Sequence, residues 1–161
     1  MRIRSAVAAY LLFGLASCQT TRPEARIHLS CGGETLRKSW AELEDRIPDG
    51  TMAKALANAY LCLPESESQL HYLHAHLDET VEFSTYSTGE LEEEREILSR
   101  EAAKGEIRGF QGSKEFEYSA RLTDEGDVML DGRNEACIEG ITLTHRGETG
   151  WLIRELGSAC D

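Results

Sequence analysis

The stretches Ile138-Glu139-Gly140-Ile141-Thr142-Leu143-Thr144 and Trp151-Leu152-Ile153-Arg154-Glu155-Leu156 decide the fold. The first is rich in β-branched residues, the second opens on an aromatic and two aliphatics, and turn formers bound both, as in strands. The connector His145-Arg146-Gly147-Glu148-Thr149-Gly150 folds the pair back as an antiparallel hairpin. Working backwards, Gly132 and Asn134 mark a break, and Val128-Met129-Leu130 belongs to another strand. Before it, Phe116, Tyr118, Ala120 and Leu122 alternate with polar residues, a period of two. Thr123-Asp124-Glu125-Gly126 is the turn between them. The C-terminal half therefore reads as several antiparallel strands.

Towards the N-terminus the period becomes helical. Leu36, Trp40, Leu43 and Ile47 recur at i, i+4, i+7 and i+11, an apolar stripe that Pro48 ends. After the Asp49-Gly50 turn, Thr51 is expected to cap a second helix bearing Met52, Leu56, Tyr60 and Leu63, stopped by Pro64. So short a link packs two helices antiparallel. A third helix is expected over residues 67–80, on Leu70, Leu73, Leu77 and Val81. Val81-Glu82-Phe83-Ser84-Thr85-Tyr86 then alternates like a strand. Ser87 or Thr88 is expected to cap a fourth helix from Glu90 to about Lys104, with Gly105 as its stop.

The first residues have the parts of an export signal. Arg2 and Arg4 precede the apolar run Ala6 to Gly14, and small residues follow it. That run is too short to span a bilayer, which takes roughly 20 residues. Leu15-Ala16-Ser17-Cys18 resembles the lipobox of bacterial lipoproteins. The resemblance implies that residues 1–17 are removed and that Cys18 becomes the lipidated first residue. Each buried methylene contributes about 0.8 kcal/mol, so several acyl chains make a lasting anchor. Gln19 stands where an aspartate would favour the inner membrane in that family. The expected place is the outer membrane, facing the periplasm. Residues 18–27 would be the lipidated end and tether, and residues 28–161 a single domain.

With Cys18 taken by lipid, four cysteines remain in an oxidising compartment, which reads as two disulfides. The antiparallel helices bring Cys31, before the first, beside Cys62, at the end of the second. The terminal hairpin brings Cys137 near residue 158, within reach of Cys160. Each closed loop contributes roughly 3–4 kcal/mol in the chain-entropy model.

The chain carries 17 Lys and Arg against 29 Asp and Glu, a net charge of −12. Loss of residues 1–17 removes two arginines and no acid, taking the charge to −14. Such a surface repels nucleic acid and anionic lipid, and favours basic partners.

The order of elements resembles the cone fold of the nuclear-transport-factor-like superfamily, and Gly150-Trp151-Leu152-Ile153-Arg154-Glu155-Leu156 is similar to its closing strand. The resemblance implies an α+β fold, with a disulfide-linked helical hairpin and further helices packed on a curved antiparallel sheet formed mainly by the C-terminal half. The superfamily holds enzymes, carriers and immunity proteins, so fold alone does not select among them.

Three side-chain groups have chemistry to weigh. His71, His74 and Asp78 would share one face of the third helix, with donors suited to zinc but without the usual His-x-x-x-His pair. Glu90, Glu92, Glu93, Glu94 and Glu96 form the densest charge in the chain. They fit a solvated helix face, and also a docking surface for a basic protein. Nucleophile-elbow, Ser-x-x-Lys and phosphate-loop motifs do not occur in the sequence. The expectation is a non-enzymatic lipoprotein, without a cofactor, that binds another protein. Its sharpest form is an immunity protein or inhibitor of a basic, cell-wall-degrading effector. The alternatives are a cone-fold enzyme or small-ligand carrier, and a structural accessory of an envelope assembly.

Overall fold

The computed structural model describes residues 29, 31–62, 67–87, 92–107 and 116–160. The lipobox, the tether and Glu90 lie outside the described residues. Helices α1 (Gly33–Leu43), α2 (Gly50–Leu61) and α3 (Glu67–Ala75) come first. Strands β1 (Leu77–Ser87) and β2 (Glu92–Ser99) and the short helix α4 (Arg100–Glu106) follow. Strands β3 (Glu117–Leu122), β4 (Val128–Arg133), β5 (Cys137–His145) and β6 (Trp151–Cys160) complete the domain. They form one six-stranded sheet in the order β2-β1-β6-β5-β4-β3.

The predicted stripe of α1 is its buried face: Leu36, Trp40 and Leu43 are all in the core. Helix α2 buries most of its girth, and Ala53, Ala57 and Ala59 leave room for close neighbours beside Leu56, Tyr60 and Leu61. Against the helices the strands present one continuous face. Phe83, Leu156, Ile141, Leu130 and Ala120 lie on one rung across β1, β6, β5, β4 and β3, and all five are buried. Burial of each large apolar side chain stabilises by about 1.5–3 kcal/mol. Both expected disulfides are present. Cys31–Cys62 joins the residues flanking the helical pair, and Cys137–Cys160 joins directly opposed residues of β5 and β6.

Four sequence expectations need correction. The sheet is mixed, because β1 lies parallel to β6 while every other pairing is antiparallel. Helix α3 ends at Ala75, and the strand begins at Leu77. Leu77 fits a helical stripe with Leu70 and Leu73 and also a strand alternation through Val81 and Phe83. Pairing with Ile153 of β6 decides for the strand. The acidic run Glu92, Glu93, Glu94 and Glu96 is not on a helix. It forms β2, where Leu98 sits opposite Val81 and Glu96 opposite Phe83, and only Arg100 to Glu106 is helical. Tertiary pairing overrides the helix preference of a glutamate run. The caps move accordingly. Asp49, with a left-handed φ of 44°, caps α2 by accepting from Met52 N, and Ser99 caps α4 by accepting from Ala102 N.

The two sheet edges are treated differently. At β3 the backbone N–H of Ala120 donates to Ser39 Oγ of α1 at 2.9 Å, so the helix closes that edge. The other edge is β2, the glutamate-rich strand. Charges on an edge strand discourage pairing with a stray strand.

Candidate functional site

The face of the sheet opposite the helices is the most distinctive surface of the domain. Among the described residues no helix covers it. Among the described residues the exposed large apolar side chains are Tyr86, Ile97 and Ile138, at 38%, 70% and 44%. Their register places all three on this face: Ile97 lies opposite Glu82, and both Tyr86 and Ile138 lie opposite Ala159. Tyr86 and Ile138 share the Ala159 rung, whereas Ile97 stands apart on the Glu82 rung of the edge strand, so the face carries one apolar pair and one isolated side chain.

Three same-face rungs across β1, β6, β5 and β4 define its centre. They read Tyr86–Ala159–Ile138–Arg133, Ser84–Gly157–Gly140–Asp131, and Glu82–Glu155–Thr142–Met129. The middle rung has two glycines side by side, flanked by a serine and an aspartate. It is therefore a trough of about 250 Å³ between the rung of Tyr86, Ala159 and Ile138, which ends in Arg133, and the rung of Glu155 and Glu82, of which Glu82 is paired with Arg95 at 3.3 Å. The trough has structural reasons to stay empty. A Cβ on Gly140 would stand 2.5 Å from Leu130 O, and one on Gly157 would stand 2.8 Å from Ser84 Oγ. Cys137–Cys160, one rung beyond Ile138 and Ala159, clamps its end. Within it, Thr142 Oγ1 donates to Glu155 at 3.2 Å, and Asp131 pairs with Arg121 at 3.0 Å.

At the opposite end of the same face lie two ion pairs. Buried Asp127 is 2.9 Å from Arg154, and buried Asp78 is 2.8 Å from Arg146. Arg154 sits at the register shift between β5 and β6, where the bulge leaves it out of the ladder. Its hydrogen bond to Asp78, and then the charge of Asp78, hold the Arg146 guanidinium charged above its usual range.

The expected site residues scatter over this frame. Glu94 and Glu96, both exposed, line a hollow of about 540 Å³ on the helix side of β2, together with Phe83 and Glu106. Glu92 and Glu93 stand in the same strand, opposite Ser87 and Tyr86. His71 is exposed on α3, and His74 lies on the same helix; Glu101 is held below its usual range by its hydrogen bond to Lys104 first, with His74 the smallest contributor. The zinc grouping is corrected, because Asp78 belongs to β1 and is bound to Arg146. Among the described residues no three His, Cys, Asp or Glu are arranged to hold a metal.

The sequence reading did not single out Tyr86, Ile97, Ile138, Glu155, Gly140 or Gly157 as site residues. Two isolated glycines in strand-like stretches were the available signal, since such glycines often mark a close approach. On the helix side, a polar group is buried in the core. Tyr118 donates to Glu139, while the Tyr60 hydroxyl has no hydrogen-bond partner among the described residues. Burial, then the nearby Glu139 and Tyr118, push the Tyr60 phenol well above its usual range.

No family model and no curated protein matches the chain. Among solved structures, ActVI-ORFA from Streptomyces coelicolor is similar at 12% identity and a TM-score of 0.39, over 68% of this chain and 94% of that one. A likeness of that size brings no activity to this chain.

Proposed function

We propose that the chain is an outer-membrane lipoprotein, anchored through Cys18 and facing the periplasm, whose domain binds another protein. The partner we propose is a basic, cell-wall-degrading effector that the domain holds inactive. The observation that supports binding is the bare sheet face, which exposes Tyr86 and Ile138 on one rung and Ile97 further along. A patch of aromatic and aliphatic residues rimmed by charges is the usual make-up of a binding surface. The basic partner follows from the net charge of −12 and from the glutamates of the β2 edge, of which Glu94 and Glu96 face the helix side. Two disulfides suit an exported domain that must stay folded away from cytoplasmic reductants.

The test is capture from solubilised envelopes with the full chain, followed by a wall-digestion assay with the captured protein. A basic protein that digests peptidoglycan alone, and stops when the chain is added in equal amount, is the expected result. A captured protein whose digestion continues unchanged would overturn the inhibitor reading.

A further inference from the structure

We infer that the two-glycine trough receives an arginine side chain presented by the protein partner. The inference rests on the protein-binding reading and adds the chemistry of its central contact. Three properties of the trough select this occupant.

The first is size. About 250 Å³ is room enough for one long side chain laid along the sheet. The second is the floor. Gly140 and Gly157 are directly opposed, so no Cβ projects from either, and an aliphatic stem can lie against backbone. Ala159 and Ile138 continue that apolar floor on the next rung. The third is the pair of walls. Tyr86 offers an aromatic ring at one side, and Glu155 a carboxylate at the other. Ala159 and Glu155 are four residues apart on β6, about 13 Å at the usual rise of a strand. A flexible stem laid on the glycines can start beside the Tyr86 ring and carry a planar cation to Glu155, which it meets through charge-assisted hydrogen bonds.

Charge narrows the choice further. Of the lining carboxylates, Asp131 is already paired with Arg121. Glu155 accepts only from a neutral hydroxyl, Thr142 Oγ1, among the described residues. It is half-buried, so an incoming cation would be screened less than at a fully exposed site.

The test is an NMR titration of the ¹⁵N-labelled full chain in detergent micelles at low salt. The probes are the peptides acetyl-Gly-Arg-Gly-amide and acetyl-Gly-citrulline-Gly-amide, alike in shape and different in charge. The inference predicts saturable shifts of the Gly140 and Gly157 amides with the arginine peptide. The citrulline peptide should bind about fivefold more weakly, the scale of one partly exposed ion pair. Glu155→Gln should bring the arginine response down to the citrulline level. Gly157→Ala, whose methyl meets the rotatable Ser84 hydroxyl, should weaken both peptides. Equal responses to the two peptides, no saturable response at these glycines, or shifts that follow protein concentration without peptide would each overturn it. The last outcome would assign the face to a second copy. If the arginine response is missing while Ile97 and Ile138 still crosslink to a protein in cells, only this inference falls. If the crosslinks are missing as well, the protein-binding reading falls with it.

Discussion

Asp78, in the second position of β1, is joined at 2.8 Å to Arg146, which lies 68 residues later in the connector between β5 and β6. The same arginine also donates through Nε, at 3.2 Å, to the same oxygen, Asp78 Oδ2. Asp78 also accepts from the Glu79 backbone N–H at 2.8 Å, and its own carbonyl accepts from Arg100. These contacts fasten the start of β1 where it lies parallel to β6. Asp78→Ala is therefore expected to cost about 1–2 kcal/mol of stability in urea unfolding. An unchanged midpoint would mean that the parallel junction stands without this pair.

Tyr60→Phe should behave in the opposite sense. The Tyr60 hydroxyl is buried without a partner among the described residues, so its removal is expected to be neutral or stabilising by up to about 1 kcal/mol at pH 7. Burial raises its folded pKa above the unfolded value near 10, so the folded state keeps a proton that the unfolded state releases. Stability is thus fully present below pH 10 and falls as pH rises through the folded pKa. Urea midpoints at pH 7 and pH 10.5 should show that Tyr60→Phe loses less on going alkaline than the parent chain. Identical losses would place the alkaline sensitivity elsewhere.

Much of this fold was legible because its segments have one dominant period. The stripe Leu36, Trp40, Leu43 and the alternation around Tyr118 and Ala120 each fit a single template, and both are buried as expected. The disulfides followed from the two hairpins that those periods define. The segment around Glu92–Ser99 was not legible, because glutamates favour helix locally and its apolar signal is only Ile97 and Leu98. What makes it a strand is β1 beside it, a contact invisible to local pattern. The trough was illegible for a related reason. Gly140 and Gly157 matter only because the register of β5 and β6 sets them opposite each other.

Loss of Cys137–Cys160 should loosen the trough as well as the domain. Replacing both cysteines with serine is expected to cost roughly 3 kcal/mol, from the loop that the bond closes over a sequence separation of 23. Non-reducing peptide maps of the parent should contain Cys31–Cys62 and Cys137–Cys160 peptides. A Cys31–Cys160 or Cys62–Cys137 peptide would contradict the paired hairpins.

Cys18→Ala is expected to abolish lipid labelling and to release the chain from the membrane fraction. Continued partition of that variant into detergent would contradict the lipoprotein reading.

Reversal of Glu92, Glu93 and Glu94 to lysine should slow association with a basic partner. The effect should shrink with added salt, because exposed charges are screened beyond about 8–10 Å at physiological ionic strength. Stopped-flow rates at low and high salt decide it. Equal rates for variant and parent at low salt would remove the β2 edge from the encounter surface.

The most direct test of the central claim is photo-crosslinking in intact cells from single positions of the full chain. A photoreactive residue replaces Ile97 or Ile138 on the bare sheet face, or Lys38, exposed on α1, as the helix-side control. The account predicts a discrete adduct with another protein from Ile97 and Ile138 and none from Lys38. Adducts from Lys38, with none from either sheet position, would contradict it.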